Sequence, residues 1–131
     1  MNATPQGTLA LQTIAMPADT NANGDIFGGW LMGQMDLGAS VLARQRAQGR
    51  VATVAVDAMT FYKSVLVGDL VSLWGKLVET GTTSMKIEVE VWVTRQPGNQ
   101  LFRVTSARFV FVAVDMNGQK RSLPATGSER A

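Results

Sequence analysis

From Ile26 to Ala43 the chain runs through eighteen residues with one formal charge, Asp36, and four glycines, Gly28, Gly29, Gly33 and Gly38. A stretch so long and apolar suits either a bilayer or a protein core. Asp36 and Gln34 near its middle are costly in lipid, so the sequence predicts a buried helix from about Gly28 to Gln48, stopped by Gly49. Each internal glycine costs about 1 kcal/mol of helix propensity relative to alanine. The recurrence of Gly29, Gly33, Gly38, Ala39 and Ser40 at close spacing therefore implies that a neighbouring backbone approaches the helix. A sheet covering such a helix on most sides is the expected partner.

The rest of the chain supplies that sheet. Met85, Ile87, Val89, Val91 and Val93 alternate with Lys86, Glu88, Glu90, Trp92 and Thr94, the period-two pattern of a strand with one buried face. Asp69 to Glu79 and Phe102 to Asp115 are rich in Val, Leu, Phe and Trp, while Thr8 to Met16 and Val51 to Ala58 are shorter candidates. Turn signals fall at Val67-Gly68-Asp69, Thr80-Gly81-Thr82, Gln96-Pro97-Gly98-Asn99 and Met116-Asn117-Gly118. The order is strand, helix, four strands, and the four are expected to pair as an antiparallel meander. This predicts one α+β domain over residues 1–131, with a flexible tail from about Pro124 to Ala131.

Composition then narrows the chemistry. With 46% hydrophobic and 17% charged residues in 131, the chain has the make-up of an ordered domain. It contains no cysteine and no histidine, which excludes thiol nucleophiles, Ser-His-Asp triads and metal sites needing imidazole or thiolate. Its net charge of +2 comes from 12 basic and 10 acidic residues scattered along the chain, unlike the basic stripe of a nucleic-acid binder. Met1 to Gly7 carry no Lys or Arg and precede no apolar core of a secretory signal, so the cytoplasm is the expected compartment.

The loop before the helix carries the most chemistry. Asp19, Asn21 and Asn23 with Gly24 open like a calcium loop, but the twelfth position, where a bidentate Glu belongs, is Trp30. No metal is expected there. The run Asn23-Gly24-Asp25-Ile26-Phe27-Gly28-Gly29 leads straight into the helix, whose first N–H groups lack intrahelical acceptors. Gly28 and Gly29 could offer those donors to a developing oxyanion, with the Asp25 carboxylate just upstream. The plainer alternative is that Asp25 or Asn23 caps the helix, which is worth about 1 kcal/mol.

The run from Asp19 to Met32, followed by Gln34-Met35-Asp36, resembles the YciA-like acyl-CoA thioesterases of the hotdog-fold superfamily. The likeness continues through Thr53 to Asp57, Phe61 to Lys63, Val67 to Asp69, Lys86 to Val93 and Phe111 to Asp115, and so covers nearly the whole chain. It implies an antiparallel sheet wrapped around a long helix, and a dimer or trimer of dimers with sites at subunit interfaces. The catalytic acid it implies is Asp25, which would orient or deprotonate a water or attack directly. Its oxyanion donors would be Gly28 or Gly29, beside Asn23. No cofactor is implied, since coenzyme A is part of substrate and product. Ser64 and Thr60 depart from residues common in relatives and bear on the pocket.

Coenzyme A carries phosphates, so Lys63, Arg50, Lys86 and Arg121 are candidate cations, and Thr82, Thr83 and Ser84 candidate hydroxyl or amide donors. Asp36 is expected to be a buried, hydrogen-bonded supporting carboxylate, and Met32, Met35, Met59 and Met85 core packing rather than an acyl tunnel. Two other functions stand beside hydrolysis. A hotdog dehydratase would be built around a histidine that this chain lacks, and a non-catalytic acyl-CoA binding or sensing module would usually bring a DNA-binding segment.

Overall fold

The structure, a computed structural model, describes residues 4–126; the end of the expected tail, 127–131, lies outside the described residues. The elements are β1 (Thr8–Ile14), a 3-10 turn (Pro17–Asp19), α1 (Gly28–Ala47), β2 (Val51–Phe61), β3 (Leu70–Thr80), β4 (Ser84–Arg95) and β5 (Gln100–Ala113). The helix ends one residue before the predicted Gln48, which instead takes the left-handed cap position at φ 54 and donates its N–H to the Arg44 carbonyl. The C-terminal segment is tied to α1 at Pro124, whose carbonyl accepts from Arg46 Nη1 at 2.8 Å.

All five strands form one antiparallel sheet in the order β1-β3-β4-β5-β2. Only β3, β4 and β5 form the expected meander. β2 pairs with β5 at the far edge, because residues 62–69 cross from that edge to the other before β3 begins. Local turn signals show where a strand ends but carry no information about where the next one joins.

The alternation in β4 fixes the two faces of the sheet. Met85, Ile87, Val89, Val91 and Val93 are buried toward the helix, and Lys86, Glu88 and Glu90 turn away, whereas Trp92, expected on the wetter face with them, is buried. Leu31, Met35, Ala39, Ala43 and Ala47 form the buried stripe of α1 at four-residue spacing, packed with Leu73, Ile87, Phe109 and Phe111. Each large apolar side chain buried there contributes about 1.5–3 kcal/mol. Gly38 explains how close the layers come: a Cβ there would lie 3.2 Å from Leu73 Cδ2 and 3.6 Å from Leu11 Cβ.

The sheet covers one face of the helix, where covering on most sides was expected. Met32, Leu37 and Val41 on the other side are exposed, Leu37 to 55%. A single sheet layer packs against one stripe of a helix and has no means of reaching the opposite one. Gly29 and Gly33 lie on the uncovered side, with nothing within 4 Å of an added Cβ. The methionines divide accordingly: Met35 and Met85 are buried, Met59 packs against the core, and Met32 is open rather than part of the core.

Candidate active site

The loop before α1 is built by its own side chains. Asn21 Oδ1 accepts from the backbone N–H groups of Asn23 (2.8 Å) and Asp25 (3.2 Å), while the Asn21 N–H donates to the Asp25 carbonyl at 2.7 Å. Asp19 Oδ2 accepts from the Met16 N–H at 3.1 Å, and the Asp19 carbonyl from Phe27 N–H at 3.0 Å. Two of the oxygens that imitate a calcium loop, those of Asp19 and Asn21, are thus turned onto backbone donors. Among the described residues no group of His, Cys, Asp or Glu is placed to hold a metal.

These contacts set where the helix begins. Phe27 is the N-cap and makes no side-chain capping bond, so neither Asp25 nor Asn23 caps the helix as the plainer reading held. The cap is made instead by the strap from Asp19 to Phe27 and by Ile26 N–H, which donates to the Val65 carbonyl at 3.1 Å. Gly28 and Gly29 follow as the first helical residues, with no intrahelical acceptor for their N–H groups.

Beside Gly28 lies a cleft of about 280 Å³ lined by Ile26, Leu31 and the segment from Phe61 to Val65, which includes Lys63. Lys63 Nζ sits 4.8 Å from the centre of the Phe102 ring, and among the described residues no carboxylate lies within ion-pair distance of it. A cation over an aromatic face at a cleft edge is suited to an anionic ligand. Of the candidates from sequence, Gly28 and Lys63 come together here.

Others do not join them within one chain. Asp25 is half-buried beside the cleft-lining Ile26, its carboxylate without a hydrogen-bond partner among the described residues, and Asn23 is exposed. Thr83, Ser84 and Arg121 lie near the other end of α1. Thr83 and Arg121 both bond to Ala113, and Arg121 Nη2 would lie 2.9 Å from a Cβ at Gly49. At 1.5 Å rise per residue, the helix puts about 30 Å between its two ends. Lys86 pairs with Glu79 at 3.7 Å, and Arg50 Nη1 donates to the Met116 carbonyl at 3.0 Å.

Asp36 differs from its expectation in one respect. It is hydrogen-bonded, its Oδ1 accepting from Thr53 Oγ1 at 2.6 Å, but it is half-exposed rather than buried. It stands on the uncovered side of α1, three residues beyond Gly33 and seven beyond Gly29, so that positions without side chains lie between it and the free amides. The sequence carried no local sign of the Thr53 contact, which spans seventeen residues between two elements.

A long helix laid on an antiparallel sheet, its first residue lining a cleft, is the hotdog architecture. The chain belongs to the thioesterase superfamily, whose family profile matches residues 23–97, and within it to the YciA-like acyl-CoA thioester hydrolases. It is 55% identical over 130 residues to the acyl-CoA thioester hydrolase YciA of Salmonella typhimurium, covering 97% of this chain and 98% of that one. It is similar to the solved hexameric thioesterase of Yersinia pestis, at TM-score 0.90 and 54% identity over 94% of this chain and all of the other. A hexameric broad-specificity acyl-coenzyme A thioesterase, solved as an aspartate-to-alanine mutant, matches at TM-score 0.91 and 50% identity over 95% and 91% of the two chains.

Proposed function

We propose that the protein hydrolyses acyl-CoA thioesters to a free carboxylic acid and CoA, acting in the cytoplasm as an assembly of identical chains. The observation that carries this reading is the start of α1, where Gly28, followed by Gly29, lines a cleft with Lys63 at its edge and neither N–H has an intrahelical acceptor. The thioester carbonyl accepts from these amides, which stabilise the negative charge that develops as water adds. A carboxylate takes the proton from that water. The C–S bond then breaks, and the proton passes to the departing CoA sulfur.

Two carboxylates compete for that role. Asp25 follows from sequence and lies just upstream of the amides. Asp36 is favoured by geometry, because Thr53 fixes one oxygen and leaves the other free, the preorganisation a general base needs. Eight residues of helix separate Asp36 from Gly28, about 12 Å along the axis, too far to share one carbonyl within a chain. Two copies with their helices antiparallel bring the amides of one to the Asp36 of the other. The uncovered side of α1 and the free edge of β2, with Val54 exposed to 53%, supply an apolar surface for that pairing.

A panel of short, long and aromatic acyl-CoA substrates, read by release of free thiol, tests the activity. Asp36→Asn is expected to lower turnover by about 10²–10⁴-fold with little change in melting temperature, the usual loss for a general base. Asp25→Asn is expected to act more weakly. The reverse ranking assigns the reaction to Asp25, and CoA binding without thiol release from any substrate identifies a non-catalytic binding module.

A further inference from the structure

Asp69 is the one buried carboxylate among the described residues, and nothing in the reaction above uses it. Arg95 grips it with both arms, Nε to Oδ1 at 3.0 Å and Nη2 to Oδ2 at 2.7 Å. The same Nη2 donates to the Ser64 carbonyl at 3.1 Å, and Asp69 Oδ2 also accepts from Leu66 N–H at 2.9 Å. The hydrogen bond to Asp69 holds the Arg95 guanidinium above its ordinary pKa despite partial burial.

These bonds converge on the crossover of residues 62–69, whose first half, Tyr62 to Val65, forms one wall of the cleft. Between the two gripped points, Ser64 and Leu66, lies Val65, whose carbonyl receives the Ile26 N–H at 3.1 Å. Ile26 stands two residues before Gly28. A continuous chain of bonds therefore runs from Arg95 through the crossover to the start of α1. A buried ion pair adds little net stability over well-packed apolar residues of the same volume. It does add direction, because a planar guanidinium fork fixes both distance and angle.

We infer that Asp69 and Arg95 are positioning residues for hydrolysis: they hold the crossover so that Val65 anchors Ile26 and thereby aims the Gly28 and Gly29 amides into the cleft. This rests on the proposed role of those amides. Lysine at position 95 keeps the charge but has no fork with which to hold Asp69 and Ser64 together.

The test uses Arg95→Lys and, as a second variant that keeps the acceptor oxygen, Asp69→Asn. Each is compared with the intact protein in kcat, KM and melting temperature. A direct readout comes from the infrared carbonyl band of a bound, non-hydrolysable acyl-CoA ketone analogue labelled with carbon-13. The intact protein is expected to move that band to lower wavenumber. In the variants kcat should fall by about 10- to 100-fold, as small misplacements of reacting groups do, with KM nearly unchanged and the band returned toward its unbound position. A folded variant with normal kcat and a normal band overturns the inference. So does a loss of rate that only follows the unfolded fraction, or failure of both variants to fold, since either makes the pair a folding determinant alone. If the intact protein neither releases thiol nor shifts the band, the hydrolytic reading itself fails and the positioning role falls with it.

Discussion

Lys63 is where a single residue has the most to say about ligand choice. Among the described residues, Arg95, Arg103, Arg108 and Lys86 each face a carboxylate, whereas Lys63 leans on the Phe102 ring at the edge of the cleft. If that ammonium meets a phosphate of CoA, its value depends on the substrate carrying one. Lys63→Ala is expected to raise KM for an acyl-CoA several-fold while leaving KM for the matching acyl-pantetheine, which has no nucleotide phosphates, nearly unchanged. The acyl-CoA effect should shrink as salt is added, because exposed charges are screened. Equal effects on both substrates would assign Lys63 to packing against Phe102. Sequence could nominate Lys63 among several cations but had no means of ranking them. What separates it from Arg121 or Lys86 is which partners the fold brings to each, and those partners lie far off in the chain.

At the scale of elements, the start of α1 is the part on which the chemistry rests. Phe27 has φ −57 and ψ 134, the extended conformation that a following proline requires. Proline is also tolerated at the first helical position, where its missing N–H has no intrahelical partner to lose. A Cβ at Gly28 would meet only the Phe61 ring, at 3.6 Å. Gly28→Pro is therefore expected to keep the fold and melting temperature while lowering kcat by about 10²–10³-fold, the loss typical of one missing oxyanion donor. Circular dichroism and thiol release measure the two arms. The helix itself was legible because a run with one charge in eighteen residues has few alternatives, and β4 because it alternates without a break from Met85 to Val91. The capping of α1 was not legible, since Asp25 and Asn23 have the residue types of a cap while the structure uses backbone bonds to Asp19 and Val65. The partner of β2 was equally hidden, because pairing with β5 joins segments about fifty residues apart.

For the whole molecule, the prediction concerns a site divided between copies. If the amides come from one chain and Asp36 from the next, a Gly28→Pro chain and an Asp36→Asn chain are each nearly inactive as pure assemblies. Unfolded together and refolded at equal amounts, they are expected to recover about a quarter of normal turnover, because half of the two-fold pairs are then mixed and each mixed pair holds one intact site. Recovery near zero would place both groups in the same chain, whereas an active pure Asp36→Asn assembly would return the reaction to Asp25. The apolar side of α1, with Met32, Leu37 and Val41 exposed, makes self-association the expected state, and sedimentation at micromolar concentration checks it.

The strand order has a further consequence for how such a chain comes into being. β1 bonds only to β3, and β2 only to β5. When the ribosome has released the chain through Phe61, the nascent product holds two strands and an apolar helix, yet neither strand has a neighbour to join. Sheet formation must wait for the second half, and it closes only when the last strand arrives to capture β2. Translation therefore exposes an adhesive half-protein for as long as the second half takes to emerge, an interval in which aggregation or a holding chaperone competes for it. Silent codon changes that slow elongation after Phe61 should lower the soluble yield, although the finished protein would be identical.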